Sequence, residues 1–210
     1  MFPLGLSDLW KMRAGRRAAV GTLAPFVARS RERLEARRAQ AGGGPPVGGA
    51  AQGGYEALGG MAGLDRLAGF GDVEDTSDSV WLDPYLVGFL ATLITLLAKR
   101  KAGPLKEEAL AGVQETAFSA LTGLEGALFG VELVLAGRNP TRAFEEGCGD
   151  GGRFFALLTG EPLPAGDDDT PGWAAGFFHQ PAPEPAVSLA PAPLSPFQAW
   201  DAYVEPRLGG

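Results

Sequence analysis

The stretch that decides the fold is Asp83 to Gly137, DPYLVGFLATLITLLAKRKAGPLKEEALAGVQETAFSALTGLEGALFGVELVLAG. It opens on Asp83-Pro84: a side-chain acceptor for the first free N–H groups, then a proline where its missing N–H is harmless. Leu86, Phe89, Leu90, Leu93, Ile94 and Leu97 recur every three or four residues and form one wide apolar face. Lys99, Arg100 and Lys101 complement the C-terminal end of the helix dipole, and Gly103-Pro104 ends the helix. The run Tyr85 to Ala98 carries no charge. It is shorter than the about twenty residues a membrane-spanning helix needs, so it reads as a buried core helix.

A second, long helix is expected from about Leu105 to Gly137. Glu107 and Glu108 suit its first turn, and Leu110, Val113, Ala117, Leu121, Leu124, Leu128, Val131 and Leu135 mark its apolar stripe. Beside the stripe runs a row of small residues: Gly112, Thr116, Ser119, Gly123, Gly126 and Gly130. Each interior glycine costs about 1 kcal/mol relative to alanine, so either another backbone lies against the row or the helix breaks there. Close antiparallel packing on residues 84–101 is the expected solution, and a kink between Gly123 and Gly130 is the alternative.

Downstream, Asn139-Pro140 starts a third helix through Glu146, and Arg153 to Leu158 forms a short fourth. Between them Gly147, Gly149 and Gly152 satisfy a G-x-G-x-x-G pattern. A phosphate-binding turn of that kind follows a strand, and none precedes this one, so the glycines read as a helix-to-helix turn. No stretch shows the alternation of a strand. The expected fold class is therefore mainly α, a small helical bundle with residues 81–160 as its core.

Upstream, Ser7 to Gln40 reads as two short helices, with Ser7 capping the first, Leu9, Met12, Val20 and Leu23 at helical spacing, and Pro25 opening the second. Residues 1–40 hold nine Lys or Arg against three acidic residues, whereas the whole chain carries a net charge of −7. Arg13, Arg16, Arg17, Arg29, Arg31, Arg33, Arg37 and Arg38 are the candidate contact for an anionic surface. The same basic helical segment is equally suited to docking on the acidic remainder of the chain. Ala18 to Ala28 has the length of a signal-peptide core, but Pro25 lies within it and a basic run starts at Arg29, so neither export nor organellar transit is expected.

Residues 41–80 form a linker. Twelve glycines lie between Ala41 and Gly71, with Pro45-Pro46 near the start, and Asp72, Glu74, Asp75 and Asp78 follow without the spacing of a calcium loop. A long disordered Gly-rich insert is expected. Residues 161–210 hold ten prolines and read as a Pro-rich C-terminal tail, interrupted by a short helical motif at 195–204. Ser195-Pro196-Phe197-Gln198 has the form of a capping box, and Phe197, Trp200 and Val204 fall at i, i+3 and i+7. With Tyr203 they are the candidate partner-binding residues; the alternative is that this edge docks on the chain's own core.

Little in the sequence carries chemistry. Cys148 is the single cysteine, so no intrachain disulfide or multi-cysteine zinc site is available. The one histidine, His179, sits in the Pro-rich tail, away from any fixed nucleophile. Glu115, Glu125 and Glu132 lack the histidine partners of a helical di-metal site. No catalytic residue, cofactor or metal is expected. The composition points to a non-enzymatic helical interaction protein, an adaptor or scaffold in the cytoplasm, with protein partners and self-association expected and nucleic acid disfavoured. Two alternatives stand: a peripheral, membrane-associated protein that binds anionic lipid through the Arg-rich N-terminus, and an enzyme subunit active only in a complex.

Overall fold

The computed structural model describes residues 5–41, 79–161 and 194–209; most of the expected Gly-rich insert and Pro-rich tail lies outside them. The described chain is mainly α, with six helices and no strand. At its centre is α2 (Pro84–Ala102), in which every residue from Tyr85 to Ala98 is buried. A helix apolar on all sides has no stable place except inside a bundle. Asp83 caps it as expected, its carboxylate accepting from the N–H groups of Tyr85 at 2.9 Å and Leu86 at 3.4 Å. A single turn of 3₁₀ helix at Ser79–Leu82 leads into it and buries Trp81.

Four other helices, the first and the third to fifth in chain order, cover α2. The first, α1 (Leu6–Ala41), runs 36 residues without interruption, correcting the expectation of two helices split at Pro25. Pro25 removes one backbone hydrogen bond, but both it and Gly21, whose carbonyl loses the donor, lie on the water side of the helix. The inner side keeps α1 continuous, since Leu23, Phe26, Val27, Ser30 and Leu34 are buried on either side of the proline. Of the apolar residues read at the start of the segment, Leu23 is buried and Met12 and Val20 pack partly buried against the core, whereas Leu9 is exposed.

The expected long second helix is in fact two, α3 (Glu107–Thr122) and α4 (Gly126–Arg138), so the alternative of a break is the one adopted. Gly123 ends α3 in the left-handed region at φ 81°, a conformation that L side chains rarely take, and its N–H closes on the Ser119 carbonyl at 2.9 Å. The chain then turns α4 back along α3. A Cβ on Gly126 would collide with the Glu115 carbonyl, and one on Gly130 with the Glu115 carboxylate, so these glycines seat α4 on α3 rather than α3 on α2. Phe118 and Phe129 stack across the pair with ring centroids 4.2 Å apart. The contact between α2 and α3 is instead apolar, with one buried polar link in which Gln114 Nε2 donates to Thr95 Oγ1 at 2.9 Å.

The expected third and fourth helices are one helix, α5 (Arg142–Thr159), capped by Thr141, whose Oγ1 accepts from the Phe144 N–H at 3.2 Å. The glycine motif lies inside it and is no turn. Gly147 lies against the Tyr85 carbonyl, Gly151 against the Phe89 carbonyl, and Gly88 of α2 against the Phe144 carbonyl, so α2 and α5 touch backbone to backbone. This close approach offsets the propensity cost of the glycines. The last helix, α6 (Pro196–Val204), has the expected capping box, with Gln198 N–H on Ser195 Oγ at 3.3 Å and Ser195 N–H on Gln198 Oε1 at 2.9 Å.

Two alanine substitutions in α5 separate packing from propensity. Gly149 has open space around its missing Cβ, so Gly149→Ala should stabilise the protein by up to ~1 kcal/mol. Gly147→Ala should destabilise it by ~1–3 kcal/mol or more, because the added methyl meets backbone that cannot yield locally. Thermal and denaturant unfolding of the two variants checks both signs.

Candidate interaction surfaces

The motif at 195–204 is brought onto the chain's own core. Trp200 and Val204 are fully buried, Tyr203 is partly buried, and Phe197, 39% exposed, lies with its ring 4.6 Å from that of Phe26, so the spacing at i, i+3 and i+7 is engaged from within the same chain. Trp200 enters a cluster with Phe26 of α1, Phe89 of α2 and Phe154 of α5, at ring-centroid distances of 5.3–5.6 Å. Its indole N–H is satisfied by Ser30 Oγ at 3.0 Å, and Ser30 in turn donates to Glu205 Oε1 at 3.3 Å. A buried indole without such an acceptor would cost about 1–3 kcal/mol.

Charge reinforces this docking. Arg29, Arg33 and Arg37 recur every fourth residue along α1, and Asp201 and Glu205 recur at the same interval on the tail. Arg33 grips Asp201 with both terminal nitrogens, at 2.8 and 3.0 Å, and also reaches Glu205 at 3.0 Å. Arg29 adds a contact to Asp201 at 2.9 Å, and Arg37 one to Glu205 at 3.0 Å. The eight arginines of the N-terminal segment are therefore not one surface. Arg29, Arg33 and Arg37 face α6, Arg16 Nε donates to the Thr116 carbonyl at 3.4 Å, and Arg31 lies near Gly123. Arg13 and Arg17 point into water near the other end of α1, and Arg38 is exposed in its last turns.

Where α2, α5 and α6 meet, a cleft of about 740 Å³ is lined by Tyr85, Glu145, Asp150, Arg153, Tyr203 and Arg207, among others. Its polar groups answer one another. Tyr85 donates to Asp150 Oδ2 at 2.9 Å, Arg153 pairs with Asp150 Oδ1 at 2.7 Å, and the Arg207 guanidinium lies 4.4 Å from the centre of the Tyr85 ring. Burial, reinforced by the hydrogen bond to Asp150, pushes the Tyr85 phenol well above its ordinary range, so it stays protonated. Cys148 is buried under Gly88, and desolvation pushes its thiol up to about 12. A thiol so placed is packing, not nucleophile. His179 and the acidic cluster Asp72 to Asp78 lie outside the described residues. Among the described residues no group of three or more His, Cys, Asp or Glu is placed to hold a metal ion, and no helix is long and apolar enough to cross a membrane.

No protein-family model, curated protein or solved structure matches this chain. Its surfaces therefore have to be read from their own chemistry.

Two surfaces escaped the sequence reading. The first is the outer side of α4: Leu128, Val131, Val134 and Leu135 are each 45–57% exposed, and Ala127 lies among them. Leu128, Val131 and Leu135 belong to the apolar stripe that the spacing predicts for one long helix. The break at Gly123 changes the phase of the helix, so that Phe129 and Leu133 point inward instead. The signal for the break was the pair Gly123 and Gly126 around Glu125. The second is the start of α1, where Leu6, Leu9 and Trp10 are 87%, 45% and 69% exposed.

Trp200→Ala should cost ~3–5 kcal/mol of stability, as for a large aromatic lost from a core, while Phe197→Ala, whose ring is only partly covered, should cost about 1–2 kcal/mol. Denaturant unfolding of both variants measures the difference. Cys148 should resist alkylation in the native protein at pH 8 and react fully in denaturant. Because its folded pKa lies above the unfolded one, its contribution to stability is intact below about pH 9 and declines as pH rises toward 12.

Proposed function

We propose that this chain is a helical interaction protein of the adaptor or scaffold kind rather than an enzyme, working as a self-associated unit through α4. The observation that carries the reading is the outer face of α4, where Ala127, Leu128, Val131, Val134 and Leu135 are exposed and the one charged residue between them, Glu132, is partly buried. A helix face of this kind is out of place on a surface unless something covers it.

A second copy fits it in one respect that an arbitrary partner does not. Exposed Glu125 lies at the N-terminal end of α4 and exposed Arg138 at its C-terminal end. Antiparallel pairing of two α4 helices about a twofold axis sets Glu125 of each copy toward Arg138 of the other, with the Leu and Val side chains between them. The helix dipoles are also opposed in that arrangement. Burying the exposed half of eight aliphatic side chains contributes roughly 1 kcal/mol each, or ~8 kcal/mol gross. Association itself costs ~4 kcal/mol or more. The pairing should accordingly be weak and concentration-dependent, suited to a partner that is assembled and released.

Light scattering after size exclusion tests this. The protein should move from monomer to dimer as its concentration approaches about 1 mM, the dissociation constant that a net of ~4 kcal/mol gives, and Val131→Asp with Leu135→Asp should hold it monomeric at every concentration while leaving its melting temperature within a few degrees. A chain that is monomeric throughout, or a double variant that still dimerises, would sink the reading.

A further inference from the structure

The start of α1 does not lie alone. Lys11 Nζ donates to the Pro104 carbonyl at 3.2 Å, Lys106 Nζ pairs with Asp8 at 2.9 Å, and Gly15 faces Ala98 near the end of α2. These contacts gather the first turns of α1, the last turn of α2 and the first turn of α3 at one pole of the bundle. Lys11, Arg13, Arg16, Arg17, Lys99, Arg100, Lys101 and Lys106 all belong to this pole. Its acidic residues are Asp8, held by Lys106, Glu161, held by Arg100, the exposed pair Glu107 and Glu108, and the partly buried Glu115, which shares a groove with Arg16. The pole is therefore net basic in a chain whose net charge is −7.

From the same pole project Leu6, Leu9 and Trp10, the most exposed cluster of large apolar side chains on α1. Leu6, Trp10, Arg13 and Arg17 follow one another at i, i+4, i+7 and i+11 along a single face. Seven residues of helix separate Leu6 from Arg13 by about 10 Å along the axis, so with α1 meeting a bilayer end-on its apolar tip reaches the acyl boundary while Arg13 stays at headgroup level. Tryptophan with leucine ahead of arginine is the order in which a bilayer presents acyl boundary and then phosphate.

We propose that this pole is a contact surface for an anionic lipid bilayer, with Leu6, Leu9 and Trp10 entering the interface and Arg13, Arg17 and Lys101 meeting lipid phosphates. The arginines that the tail helix neutralises, Arg29, Arg33 and Arg37, take no part. The acidic rest of the chain does not prevent contact, because charges beyond about 8 Å are screened at physiological salt. It orients the chain instead, since only the basic pole approaches an anionic surface favourably.

The experiment is co-sedimentation of the full chain with vesicles of phosphatidylcholine alone and of phosphatidylcholine with about 30% phosphatidylserine, at low and high salt. The wild type should bind the anionic vesicles at least about tenfold more tightly than the neutral ones, and high salt should remove most of the difference. Arg13→Glu with Arg17→Glu should lower binding to anionic vesicles by at least about tenfold. Leu6→Ser with Trp10→Ser should lower it severalfold, and neither pair should alter the thermal melt, because these side chains are on the surface. Binding in the wild type should blue-shift a fluorescence component that Trp10→Phe abolishes. Equal binding to both vesicles, no binding, or full binding by the Arg13→Glu, Arg17→Glu variant would overturn the proposal. So would capture by a single-stranded RNA probe in the absence of any vesicle binding, which would make the pole a nucleic-acid surface.

Discussion

Fourteen consecutive residues of α2, Tyr85 to Ala98, offer water no charged side chain, and the other helices take their places from the need to cover them on every side. The coverage is of two kinds. Along α5 it is backbone on backbone, made possible by Gly88, Gly147 and Gly151, each of which lies against a carbonyl of the opposite helix. Toward α1 and α3 it is made by side chains, with Leu23, Phe26 and Val27 on one and Leu110, Val113 and Ala117 on the other. A helix that met α2 through larger residues at Gly147 or Gly151 would stand further away and leave voids, which interiors tolerate poorly.

The tail helix completes this arrangement rather than decorating it. Phe26, Phe89 and Phe154 come from three different helices, and Trp200 is the ring that touches all three. Its seat is polar at one point, Ser30, and is closed by the arginine row of α1. The pairs are partly exposed, so each contributes modestly, but Arg33 bridging Asp201 and Glu205 makes them a network with a defined register. Because α1 and α6 are far apart in sequence, this network ties the two ends of the described chain to one core.

The same closure divides the surface by function. The half of α1 under α6 is neutralised, whereas the half near Leu6 keeps its arginines in water beside bare apolar side chains. The outer side of α4 is mainly apolar, with the partly buried Glu132 beside it and Glu125 and Arg138 at its two ends. One surface suits a bilayer and the other a matching helix, and they lie on different elements, so a protein could use both at once.

What the sequence by itself determined was local: that the chain is helical, that α2 starts at Asp83-Pro84 and must be buried, and that Ser195 to Gln198 caps a short helix whose aromatic edge needs a partner. Those conclusions follow from capping chemistry and from a run of apolar residues too short for a membrane, both of which act over a few residues. The tertiary structure decided the rest. Pro25 looked like a helix start because proline is favoured there, yet burial on both sides of it carries α1 through. Gly147, Gly149 and Gly152 looked like a turn because glycine is costly in a helix, yet α2 lies against two positions of that stretch and recovers the cost. Leu128, Val131 and Leu135 looked buried because they continue the period of α3, yet one residue at positive φ, Gly123, turns them outward. In each case the outcome rests on what lies across the helix, and a spacing along one chain carries no information about that.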